Sequence, residues 1–339
     1  MNKKQSTFRV LALVAVLGAL HGCGGGGGDN DAPPATPQTP STPTTPETPS
    51  QTPTTPTAPD TPPAPPSTPA TPTGPDTPPA PTTPATPPSN PYAPVAGSEP
   101  GPALSQPDPG STAAVGSAWE GIYESTSGYT FITPSGTLFR KDLVQWIRGS
   151  ISVSGTNWTF NSDTSALFIT TQPVTGSGTF TPQTSMDGTY STNGGTPVAW
   201  GPLTYSLANA LAITPASLQG TWSASGMYAM SFDVDANGGF SGATSGAQLG
   251  VCQLSGSMVQ VTPGSAKNMF TLTMTAVNAA TGSDSPCRLN TASSYAGLAA
   301  IVLTPAGRYQ QNGYFRTIAF NAITGDGASL FSGYLTKEQ

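Results

Sequence analysis

The chain has 339 residues, with 39 glycines and 38 prolines, only 8% charged residues and a formal net charge of −6. That composition joins a linker signature to a Gly/Ser/Thr-rich β signature. Without a basic run, it argues against nucleic acid as a partner and lacks the polybasic patch that draws a protein to anionic lipid.

Lys3, Lys4 and Arg9 precede the apolar run VLALVAVLGAL over residues 10–20. Eleven apolar residues fall short of the roughly 20 a membrane-spanning helix needs, so the stretch reads as a secretory leader. It ends in Leu20-His21-Gly22-Cys23. This resembles the lipobox of bacterial lipoproteins, with Leu three places before Cys and a small residue directly before it; His21 departs from the usual small or polar residue. The resemblance is confined to the leader and Cys23. It implies a signal peptide over 1–22, diacylglyceryl transfer to the Cys23 thiol, cleavage before that residue and N-acylation with a palmitate-type chain. Two or three acyl chains anchor a protein firmly where one does not. Gly24 follows, and in this family an Asp there favours retention at the inner membrane. The resemblance therefore implies the outer membrane of a Gram-negative cell, with the chain in the periplasm or exposed at the surface. The expected partners are the membrane, through the lipid anchor, and an envelope or extracellular partner that no motif identifies.

Residues 23–111 read as a disordered linker. Gly24 to Gly28 carry no side chain to pack, and residues 31–109 are Pro/Thr/Ala-rich. A sixteen-residue unit occurs twice, PDTPPAPPSTPATPTG from Pro59 and PDTPPAPTTPATPPSN from Pro75. Proline at nearly every third place removes backbone donors and fixes φ, which predicts an extended spacer with no core. At ~3.1 Å per residue its reach is on the order of 200 Å.

Beyond the linker the chemistry changes: apart from Phe8 and Tyr92, aromatic residues begin at Trp119. Hydrophobicity then alternates with a period of two. In 227–234, Tyr228, Met230, Phe232 and Val234 share one side; in 270–276, Phe270, Leu272, Met274 and Ala276 alternate with threonines. Segments 143–153, 158–160, 254–261, 314–323 and 330–335 also read as strands. Turn signals fall between them at Pro134-Ser135-Gly136, Ser154-Gly155-Thr156, Asp187-Gly188, Asn193-Gly194-Gly195, Asn237-Gly238-Gly239 and Gly325-Asp326-Gly327. Short strands at that spacing predict an all-β fold of antiparallel barrels or sandwiches. Trp119-Glu120-Gly121-Ile122-Tyr123 is echoed by Leu218-Gln219-Gly220-Thr221-Trp222, so we expect two related β modules, 117–214 and 217–339. The second opening, GTW followed by FDVDANGGFSG, is similar to the first hairpin of calycin-type barrels, avidin-like ones especially. That resemblance implies a barrel. It does not extend to biotin binding, because the second module holds only one tryptophan, Trp222.

The chain has three cysteines. With Cys23 taken by lipid, Cys252 and Cys287 remain, and outside the cytoplasm they are expected to pair. Closing that loop is worth roughly 4 kcal/mol in the chain-entropy model. A redox role is the alternative, but the pair lacks C-x-x-C spacing.

The only histidine, His21, lies in the leader. Without it a Ser-His-Asp triad is impossible and zinc chemistry loses its commonest ligand. A Ser–Lys arrangement would need Lys141 or Lys267, and neither sits in a motif. Glu120 and Glu124 are a possible carboxylate pair but read as a solvated face. Asp233-Val234-Asp235-Ala236-Asn237-Gly238 matches half a calcium loop, yet position twelve is Thr244, so a hairpin is the better reading. Trp146, Arg148 and Trp158 could form a binding face, though tryptophans of a β module more often fill a core. We therefore expect no catalytic residue, cofactor or metal. The leading reading is a non-enzymatic binding or structural lipoprotein. The alternatives are a calycin-type binder of a small apolar molecule, and an inhibitor that inserts a loop such as 191–201 into an extracytoplasmic hydrolase.

Overall fold

The fold was analysed in a computed structural model that describes residues 90–142, 145–167 and 170–338. The leader, Cys23 and the linker through residue 89 lie outside the described residues.

The first module contains β1 (Gly121–Ser125), β2 (Gly128–Ile132), β3 (Thr137–Lys141), β4 (Trp146–Ser154), β5 (Asn157–Phe160), β6 (Ser165–Leu167), β7 (Thr171–Thr181), β8 (Ser185–Thr192), β9 (Val198–Ala199) and β10 (Leu203–Tyr205). β5 and β6 both lie between β4 and β7, so they occupy one interrupted strand position. β7 also pairs with β8, β8 with β10 and β10 with β1, which closes an antiparallel barrel. The second module is a closed up-and-down barrel of β11 (Gly220–Ala224), β12 (Met230–Val234), β13 (Gly239–Thr244), β14 (Cys252–Gln260), β15 (Phe270–Asn278), β16 (Tyr295–Pro305), β17 (Tyr314–Thr324) and β18 (Leu330–Lys337). Of the expected barrel or sandwich, the barrel is what forms: closure pairs the first strand of each module with its last and so removes most of the open sheet edge.

The faint sequence echo is a structural repeat. Gly121 and Gly220 open the two barrels with φ of +130° and +122°. Two residues on, Tyr123 Oη donates to the Trp119 carbonyl and Trp222 Nε1 to the Leu218 carbonyl, each four residues back. Gly136 and Gly238 turn the second hairpin of each barrel with φ of +83° and +85°. A Cβ there would meet the carbonyl oxygen of Ile151 at 2.4 Å or of Met258 at 2.2 Å, so only glycine lets the next strand approach.

Both interiors are packed with side chains. Tyr123, Ile147, Trp158, Met186, Trp200 and Tyr205 fill the first barrel, and Trp222, Phe232, Met258, Phe270, Phe320 and Phe331 the second. Phe232 stacks on Phe240 at 4.4 Å between ring centroids. β16 is buried without a break from Leu298 to Leu303, and β17 from Thr317 to Thr324. Phe320 points into the barrel toward Phe232 and Phe331, and its partner Ala299 shares that side. The alternate residues Leu298, Ala300 and Val302 are buried as well, joined in one cluster with Ile122, Phe131 and Phe139 of the first module. Strands covered on both faces lose the alternating pattern and become continuous apolar runs, as in AGLAAIVL. The described residues fall within one compact unit, residues 82–339.

Residues 90–111, read from the sequence as the end of the linker, strap onto this unit. Glu99 bridges to Tyr314, and its carboxylate takes Arg316 Nε at 2.6 Å. Asp108 caps the segment between the modules through Ala212 N at 3.1 Å.

Two local expectations are corrected. Met227 and Tyr228 do not begin a strand: the chain turns at Gly226, φ +85°, and both side chains are exposed before β12 starts at Met230. Asp187-Gly188 is not a turn but lies within β8, opposite Gly178. A Cβ on Gly188 would come within 2.6 Å of the Trp158 ring, so the glycine makes room for a core tryptophan.

Candidate functional site

The second barrel is notched. β11 has five residues against the eight of β18, and the two pair only at Trp222↔Lys337 and Ser223↔Thr336. From Leu330 to Tyr334 the edge of β18 therefore has no strand beside it, because the chain leaves β11 at Ala224 and turns away through Gly226. A cleft of about 570 Å³ opens there, at the barrel mouth and against the first module. Its volume lies within the ~300–1,000 Å³ common for small-molecule sites, which favour such module boundaries.

Each wall has a local cause. Lys141 and Trp146 come from the facing ends of β3 and β4, where they are cross-strand partners. Tyr228 comes from the turn after β11, and Ser332 and Tyr334 from the outer face of β18. Leu249 and Phe331 form the floor, both buried. Arg288 and Leu289 form the roof, directly after Cys287, which is disulfide-bonded to Cys252 with 4.8 Å between Cα atoms. Arg288 N donates to the Leu249 carbonyl at 2.8 Å, and Val251 bridges to Pro286. Gly250, φ +70°, permits this close approach: a Cβ there would meet the Pro286 oxygen at 2.0 Å. The roof is thus fixed covalently and by backbone bonds, a pre-organised wall.

The electrostatics of the cleft are one-sided. Lys141 and Arg288 line it, and among the described residues no carboxylate does. Lys141 Nζ donates to Ser332 Oγ at 2.8 Å and sits 5.5 Å from the Trp146 ring centroid. Burial pushes the Lys141 ammonium below its usual range. The Tyr334 phenol is raised for the same reason.

Lys141, one of the two lysines considered for a Ser–Lys arrangement, meets Ser332, a partner hidden from sequence reasoning by its distance along the chain. Of the other residues singled out, Trp146 and Arg148 point outward from β4 while Trp158 fills the first core, so the three do not make one face. Glu120 is buried against Lys267, and Glu124 accepts from Ser206 Oγ. Asp235 Oδ1 caps the β12–β13 hairpin through the N–H groups of Asn237 and Gly239, at 2.7 and 3.0 Å. That is the Asx-type use of an aspartate in a turn. Asp233 accepts from Thr221 Oγ1 at 2.7 Å. Within 191–201, Val198 and Ala199 form β9 and fold back onto β8. Among the described residues no group of three or more His, Cys, Asp or Glu side chains is gathered as a metal centre requires.

Comparison with protein-family models, with curated proteins and with solved structures finds no match to the chain.

Proposed function

We propose that the chain is a lipoprotein of the bacterial outer membrane, anchored through acyl groups on Cys23, that carries its double barrel as a non-enzymatic binding head on a proline-rich spacer. The observation that carries this reading is the stretch Leu20-His21-Gly22-Cys23 after an eleven-residue apolar run and three cations. Two further observations agree with it. A disulfide such as Cys252–Cys287 is at home in an oxidising compartment. The leader takes the only histidine with it. Binding is favoured over a purely structural role by the notch in the second barrel, a recess with a fixed roof and convergent polar groups. A ligand buried along a barrel axis, as in calycins, is disfavoured, because Trp222, Phe232, Phe270 and Phe320 already occupy that space.

Membrane fractionation tests the reading. The wild-type chain sediments with outer membranes and is released only by detergent, and Cys23→Ala moves it to the soluble fraction. A wild-type chain found soluble would overturn the anchoring. Protease treatment of intact cells then reports which side of the membrane carries the head.

A further inference from the structure

The cleft at the notch has a composition more specific than its size. In a chain with only 11 Lys and Arg and a net charge of −6, two cations line one recess to which the described residues bring no carboxylate. Beside them stand four aromatic side chains: Trp146, Tyr228, Phe331 and Tyr334. Tyr228 is 57% exposed and Tyr334 44%, so neither is consumed by core packing. Lys141 spends one donor on Ser332, and an ammonium carries three. Among the described residues the Arg288 guanidinium has no side-chain partner, so its fork is available to an acid. The bare edge of β18 adds backbone hydrogen-bonding groups.

We propose that this cleft binds a ring-bearing organic anion, with its ring on the aromatic lining and its acidic group on Arg288 and Lys141. An inorganic anion would leave the aromatic walls unused, and a neutral apolar molecule would leave two cations unanswered. The proposal rests on the reading of the double barrel as a binding head and is independent of the lipid anchor.

The test uses the chain from residue 23 onward with Cys23→Ala, which keeps every described residue and carries no acyl chain to compete for dye. Anilinonaphthalenesulfonate is the anionic probe, and phenylnaphthylamine presents the same rings without the charge. The sulfonate is expected to bind saturably with one site per chain. Arg288→Gln, at an exposed position, is expected to weaken it about tenfold, the size of a lost charge-assisted hydrogen bond. Tyr228→Ala weakens it as well. Arg308→Gln, which removes the same charge from the loop at the opposite end of the barrel, leaves binding unchanged. The neutral dye binds at least tenfold more weakly. Failure of the sulfonate to bind, equal binding by Arg288→Gln, or equal binding of the neutral dye would each overturn the proposal while leaving the fractionation result untouched.

Discussion

Lys267 Nζ lies 2.5 Å from Glu120 Oε1, and this ion pair joins the residue before β1 to the hairpin between β14 and β15. Glu120 is only 1% exposed and Lys267 16%. Removing one member of such a pair strands a buried charge, whereas replacing both relieves it. Glu120→Gln should therefore destabilise the chain by roughly 3–5 kcal/mol, and Glu120→Gln with Lys267→Met should recover more than half of that loss. Urea unfolding of the three variants measures both; a double variant as weak as the single one contradicts the account.

The two barrels share one apolar cluster through Phe131 and Phe139 on one side and Leu298, Ala300 and Val302 on the other. They should unfold together. Far-ultraviolet circular dichroism and tryptophan fluorescence are expected to give coincident transitions, with Phe139→Ala lowering stability by about 3–5 kcal/mol without splitting them. Two separate transitions in the wild-type chain would show that the interface does not couple the barrels.

The Cys252–Cys287 bond holds the roof of the cleft and links positions 35 apart in the chain. Replacing both cysteines by serine should cost about 2–4 kcal/mol. A thermal melt with and without reductant checks this, and a melting temperature indifferent to reduction would contradict it.

Burial raises the phenols of Tyr123, Tyr129 and Tyr205 above their ordinary value of 10.0. Unfolded phenols lose their protons near pH 10 while the folded ones keep them, so above that pH the folded chain binds more protons. The stability they contribute is present below pH 10 and is lost as pH rises beyond it. Lys141, lowered by burial, acts in the opposite sense, but one amine is set against three phenols. Tyr205 Oη is also buried without a hydrogen-bond partner among the described residues. Tyr205→Phe should therefore be neutral or stabilising by up to about 1 kcal/mol at pH 7 and should blunt the alkaline loss. A marked destabilisation at neutral pH would mean that the hydroxyl has a partner after all.

The barrels were legible where strands alternate. In Phe270–Asn278 every second residue from Phe270 to Ala276 is buried, which is the expected segment 270–276. Legibility failed where tertiary packing overrides local pattern. β7 contains Pro173, Gly176 and Gly178, and β16 is a continuous apolar run, so neither shows the period of a half-buried strand. Gly188 signals a turn in sequence but serves Trp158 in space. The cysteine pair was reached by elimination and is present. The cleft was not legible, because it depends on a length mismatch between β11 and β18 and on Lys141 meeting Ser332 from another module. Trp146 was noticed, but it was grouped with Trp158, which faces the opposite way.

The central claim is that this fold is held at a membrane by lipid on one residue. Cells grown with radiolabelled palmitate measure it directly. The account predicts label on the wild-type chain and none on Cys23→Ala. Equal labelling of the two, or no label on the wild type, would contradict it.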